Sequence, residues 1–134
     1  MSQKLVQVKD AMNENAFQFA DGMLTVAEGM KLAHKHGVNA IIINKRHDND
    51  EYGIVMLADI AKQVIARDRS PERVNLYEIM TKPVLSVSPE MDVRYCARLF
   101  ERLRIYVAPV IENDNILGMV GYTDMVFAHV GYDE

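Results

Sequence analysis

The chain has no tryptophan, one cysteine and four prolines among its 134 residues. With Cys96 alone, no disulfide can close within the chain. A lone thiol fits a reducing compartment. Cys96 falls on the apolar stripe of a predicted helix, where a buried, inert thiol is expected. No run approaches the roughly 20 apolar residues that span a bilayer. Met1 to Val8 lacks an apolar core of signal-peptide length, so a cytoplasmic protein with no membrane insertion is expected. The formal charge is −4 and no dense basic track is present, which argues against nucleic acid as a partner. Catalytic signatures are missing too. There is no Gly-x-Ser-x-Gly elbow, no Walker-type phosphate loop and no supported Cys–His pair.

Apolar residues make up 49% and charged residues 25%, the balance of a folded globular chain. The informative feature is an internal repeat. Val8-Lys9-Asp10-Ala11-Met12 matches Leu76-Tyr77-Glu78-Ile79-Met80 in pattern. Thr25-Val26 opens a helical pattern through Met30 and Ala33, and Asp92-Val93 opens its counterpart through Cys96, Phe100 and Leu103. Spacings of three and four place these apolar groups on one helix face. Short β-branched runs follow, Val38 to Ile43 and Ile105 to Ile111, and read as buried strands. Beyond turn-like segments come second strands, Tyr52 to Leu57 and Leu117 to Tyr122. Each of these leads to an aspartate, Asp59 or Asp124, expected to open a further helix.

Each half therefore reads strand-helix-strand-strand-helix. A half of this size buries little apolar surface, so a single interior shared by both is expected. The polar stretch Arg67 to Asn75, with Ser70-Pro71, reads as the connector. Asn75 and Glu78 have capping-box spacing for a short helix leading to Met80. The expected division is 1–68, with its core at about 8–66, and 69–134, comprising the connector and a core at about 76–130.

The ordered set resembles the cystathionine-β-synthase (CBS) domain. The second half is the better copy, with Glu78-Ile79-Met80-Thr81, Ser88-Pro89, Ala108-Pro109-Val110 and Gly118 through Asp124. The first half keeps Asp10-Ala11-Met12, Gly53 and Asp59, but has Ile42 where Pro109 stands. The resemblance implies an α+β fold of two β-α-β-β-α units packed as a pseudo-twofold pair, the Bateman module. It implies a homodimer and an adenosine-containing ligand: AMP, ADP, ATP or S-adenosylmethionine. That ligand would lie in the cleft between the units and change how they present themselves to an effector on a separate chain. No cofactor is required, and a non-catalytic regulatory role follows.

The resemblance also assigns candidate residues. Asp124 and Asp59 would bond the ribose hydroxyls, since an ionised carboxylate accepts from both. An aspartate there can equally cap the next helix, and the two roles coexist. The Ser or Thr favoured three residues earlier is replaced by Gly121 and Met56, with Thr123 a nearby substitute for the first. Arg104, between helix and strand, is the phosphate candidate, and its first-half counterpart is Gly37. Thr81, Lys82, Pro83 and Val84 would pass beneath the adenine, and Val84, Pro109 and Val110 would supply apolar walls. His34 and His36 are two apart, the wrong spacing for facing helical ligands, so no metal site is expected. Two rivals remain: a ligand-free dimerisation or docking module, and, more remotely, a nucleotide hydrolase.

Overall fold

The computed structural model describes residues 5–131. Its elements are α1 (Val8–Ala11), β1 (Phe17–Ala20), α2 (Val26–His36), β2 (Ala40–Ile43), β3 (Gly53–Met56), α3 (Leu57–Ile60), α4 (Leu76–Ile79), α5 (Val93–Leu103), β4 (Val107–Glu112), β5 (Asn115–Gly121) and α6 (Tyr122–Val130). Helix α3 continues as one π-helical turn, Ala61–Ile65.

The helices begin and end where local chemistry dictates. At the start of α2 the Thr25 hydroxyl accepts from the Glu28 amide (3.1 Å), and the Glu28 carboxylate accepts from the Thr25 amide (2.8 Å). This reciprocal capping box satisfies two amides the helix leaves open. Those bonds to Thr25 hold the Glu28 carboxyl below its usual range. At α5 the Asp92 carboxylate accepts from the Arg94 amide (2.8 Å) and pairs with the Arg94 guanidinium (2.8 Å). Both helices stop at a left-handed residue, Gly37 (φ 65°) after α2 and Arg104 (φ 58°) after α5.

The chain packs into two compact units that do not follow the repeat. One is Ala16–Val84; the other joins the residues up to Asn15 with those from Leu85 onward. The boundary expected at 68/69 therefore lies inside a unit. So does the expected connector: Val74 is buried, and its carbonyl accepts from the Val26 amide (2.7 Å). A turn of 3-10 helix, Pro71–Arg73, packs on α2 beside it.

In the Ala16–Val84 unit, β1 and β2 run parallel and β3 returns antiparallel to β2. Its core gathers Val26, Ala33, Ile41, Val55 and Val64 with Leu76 and Ile79. Those last two come from α4, the leading helix of the second repeat. In the other unit, β4 and β5 form an antiparallel hairpin, and Val93, Cys96, Phe100, Val110 and Val120 pack with Val8 of α1. The expectation of one shared interior is thus corrected: the described cores are two. Each unit completes its own core with the short leading helix of the opposite repeat. Cys96 is fully buried, and burial pushes its thiol up to about 11.

One expected strand shrinks. Opposite β4, the segment before α5 makes a single parallel bridge at Val87, whose amide and carbonyl both bond β4 (3.1 Å each). Pro83 and Pro89 bracket it, and proline cannot extend a ladder. No described helix is long and apolar enough to cross a membrane.

Candidate functional site

The sheet geometry brings two of the candidate residues to one place. Val107, the first residue of β4, pairs with Gly121, the last of β5. Arg104 precedes β4 by one short turn, and α6 with Asp124 leaves β5 at once. Arg104 and Asp124 therefore flank the same end of one hairpin. Arg104 is exposed and Asp124 half-buried. Thr123 is exposed in the first turn of the same helix.

Asp124 does not open α6, as expected, but occupies its third position. From there its Oδ2 accepts from the Gly121 amide (2.9 Å). Asp59 repeats the arrangement in the other unit, accepting from the Met56 amide (2.8 Å) at the third position of α3. A carboxylate in that position reaches back to the N-cap amide, which is why helix start and aspartate are offset. One carboxylate oxygen is thus engaged in each case, Oδ2 of Asp124 and Oδ2 of Asp59. A Cβ on Gly121 would stand 3.1 Å from the Tyr106 carbonyl oxygen, so the favoured hydroxyl residue would crowd this strand end.

The adenine-side candidates belong elsewhere. Thr81, Lys82, Pro83 and Val84 close the Ala16–Val84 unit, not the unit of Asp124. Thr81 bonds both backbone groups of Ile54 on β3 (3.0 and 2.9 Å), and Lys82 Nζ pairs with Asp50 (2.7 Å). Pro83 is exposed and Val84 half-buried. Pro109 and Val110 are fully buried, Val110 in the core beside Phe100.

The residue that runs along the Asp124 hairpin is instead Asn13. Its amide donates to the Met119 carbonyl (2.8 Å) and its carbonyl accepts from the Met119 amide (2.9 Å). This duplicates the Thr81–Ile54 exchange. Asn13 was absent from the sequence candidates, although aligning Met12-Asn13 with Met80-Thr81 points to it. The close approach is allowed because residue 118 is glycine: a Cβ there would lie 2.9 Å from the Asn13 carbonyl oxygen. In the other unit Gly53 plays this part against Met80.

The two strand ends differ in charge. Beside Asp59 the position matching Arg104 is Gly37, which carries none. All four histidines are exposed, and among the described residues no group of three His, Cys, Asp or Glu could hold a metal ion.

The profile of the CBS domain matches residues 76–131. The mitochondrial CBS domain-containing protein CBSX3 of Arabidopsis thaliana is 30% identical over 79% of this chain and 53% of its own length. A Methanopyrus kandleri protein is 26% identical over 72% of this chain and 51% of its own. The chain thus spans about half the length of these two relatives. Among solved structures, a hexameric CBS-CP12 protein from bloom-forming cyanobacteria superposes with a TM-score of 0.85 at 38% identity, over 92% of this chain and 70% of that one. The CBS domain pair of protein MJ0100, solved with 5-methylthioadenosine and S-adenosyl-L-methionine, shares the fold (TM-score 0.78, 24% identity, 96% of this chain and 99% of that one). By its agreement with the cyanobacterial protein across nearly its whole length, this chain belongs to the CBS-domain family.

Proposed function

We propose that this protein is a non-catalytic sensor module. It binds an adenosine-containing ligand (AMP, ADP, ATP or S-adenosylmethionine) and signals to a partner on a separate chain. The observation that carries this reading is the meeting of Arg104 and Asp124 at one strand end. The carboxylate offers an acceptor to paired ribose hydroxyls, and the guanidinium presents a planar fork to phosphate. Thr123 and Asn13 supply further polar groups on the same unit. The strand end of Asp59, with Thr81, Lys82, Pro83 and Val84 in its unit and no cation at Gly37, is the weaker adenosyl site. The ligands of MJ0100 support the class of molecule.

The test is calorimetric titration with AMP, ADP, ATP, S-adenosylmethionine and NADH, beside the Asp124→Ala variant. Binding by an adenosyl compound, weakened at least tenfold in the variant, is expected. A folded protein that binds none of them defeats the proposal.

A second reading is a ligand-free docking module. What favours it is that Asp124 already serves as a cap and Gly121 carries no hydroxyl. It requires partner capture unchanged by nucleotides and by Asp124→Ala.

A further inference from the structure

The Ala16–Val84 unit contains a cleft of about 540 Å³ that shares only Lys82 with the residues named for the adenosyl reading. It lies where β1 and β2 end and β3 begins, with Asp21, Asn44 and Gly53 in its lining. Asp59 stands at the opposite end of the same sheet, because it follows Met56, the partner of Ala40 at the start of β2. The cleft is therefore distinct from the ribose-carboxylate position. Its size suits a small organic molecule.

Its walls have two characters. Ile43 and Met80 are apolar lining, and so are Met23 and Tyr77, 69% and 48% exposed. An exposed methionine and an exposed aromatic ring in one concave surface offer contact to a flat apolar body. The other wall is cationic, with Lys45, Arg46 and Lys82. Lys45 also stands over the Tyr52 ring, 5.1 Å from its centroid. The lining's one carboxylate, Asp21, accepts from the Met23 amide (2.8 Å).

Arg46 and Lys82 share one partner. Asp50 Oδ1 takes Lys82 Nζ at 2.7 Å, while its Oδ2 accepts from the Arg46 amide (2.9 Å) and lies 3.4 Å from Arg46 Nε. The Asp50 side chain is only 8% exposed. The protein thus seats one of its own carboxylates against two of the three cations that line the cleft. Two cations converging on one oxyanion make a ready anion pocket, and a phosphate with greater charge can displace the carboxylate.

We propose that this cleft is a second ligand site, taking a small organic anion that joins a flat apolar body to one phosphate or carboxylate group. The body lies against Tyr77 and Met23, and the anionic group takes Lys82 and Arg46 in exchange for Asp50. Asp50 belongs to the turn between β2 and β3, so the exchange releases that turn from the Lys82 segment. The inference stands independently of adenosyl binding at Asp124.

Phenyl phosphate is the probe, with inorganic phosphate and benzyl alcohol as controls. Methionine methyl NMR of the full chain reads the result, since Met23 and Met80 line the cleft while Met125 follows Asp124. Phenyl phosphate should shift Met23 and Met80, at least tenfold more tightly than either control. Lys82→Gln should weaken it at least tenfold, and Asp50→Asn should strengthen it severalfold. Arg46→Gln, at an exposed residue, gives the same test should Lys82→Gln fail to fold. Silent Met23 and Met80 methyls, or shifts indifferent to both cation variants, overturn the proposal. Met125 reports the Asp124 strand end separately, so failure at one site is not mistaken for failure at the other.

Discussion

Arg104 adopts a backbone conformation that glycine takes at little cost. Its φ of 58° and ψ of 42° nearly equal those of Gly37 (65° and 35°), which ends the matching helix of the other unit. For an L-residue with a side chain this left-handed geometry costs about 1–2 kcal/mol. Glycine avoids that cost but loses about 0.5–1 kcal/mol through its freer unfolded chain. Arg104→Gly should therefore stabilise the protein by about 0.5–1 kcal/mol, a rise in Tm of about 2–6 °C. Among the described residues the exposed guanidinium makes no ion pair that would reverse this sign. If Arg104 binds phosphate, the same change removes a charge-assisted hydrogen bond worth about 1.5–3 kcal/mol. AMP affinity should then fall about tenfold to a hundredfold while adenosine affinity holds. Differential scanning fluorimetry and calorimetry on one pair of proteins read both effects. A variant that is less stable, or that binds AMP as tightly as the parent, refutes the argument. In the first case the left-handed cost is misjudged; in the second Arg104 has no role in binding.

Three further outcomes follow from particular contacts. Gly118→Ala should cost about 1–3 kcal/mol in urea unfolding, because its Cβ meets the Asn13 backbone and breaks up to two hydrogen bonds; Gly53→Ala should cost less than about 1 kcal/mol, because its close contact is the flexible Met80 side chain and Ile43 stands at ordinary contact distance. Equal losses would show that backbone and side-chain obstacles are not distinguished here. The Lys82 ammonium, aided by the Arg46 amide, holds the Asp50 carboxyl well below the carboxylate range. A depressed carboxyl stabilises the fold above its unfolded pKa of about 4 and loses that contribution as pH falls. Asp50→Asn should therefore flatten the acid side of the pH–stability curve, and an unchanged acid limb would remove the clasp from the account. Tyr95 and Leu103 on α5, with Val126 and Val130 on α6, are exposed apolar residues of one unit. If the homodimer expected from the sequence buries them, Val126→Glu gives a monomer by light scattering and the unsubstituted chain a dimer; equal masses exclude burial at Val126.

The repeat, the helix starts at Thr25 and Asp92, and the strand pairs on either side of each turn were legible because each is a local pattern. Thr25 and Glu28 lie within one helical turn, and β-branched runs such as Ile41 to Ile43 need no distant partner to be read. The packing of the repeat was not legible. Nothing in Leu76-Tyr77-Glu78-Ile79 says that Leu76 will enter the core of the preceding residues, because the pattern shows an apolar face but not what covers it. The same blindness grouped Thr81 with the second half and left Asn13 unnamed. Sequence order groups Thr81 with the half that follows it, whereas hydrogen bonding to Ile54 groups it with the half that precedes.

That exchange of leading segments bears on function. Each strand end that carries an aspartate is edged by a segment from the other repeat, Asn13 along β5 and Thr81 along β3. A group bound by Asp124 and Asn13 therefore joins residues from both repeats while staying inside one unit. The aspartate, the glycine of close approach and the bridging segment are duplicated, but the cation is not: Arg104 has only Gly37 opposite it. On the proposed adenosyl reading, a duplicated scaffold with a charge at one end only would divide the two strand ends by ligand class. A phosphate-bearing adenosyl compound should prefer the end of Asp124. An uncharged adenosine should show little preference between them, and titrations of Asp59→Ala and Asp124→Ala with AMP and with adenosine measure that difference. Equal loss of AMP from both variants would mean that Arg104 does not set the preference.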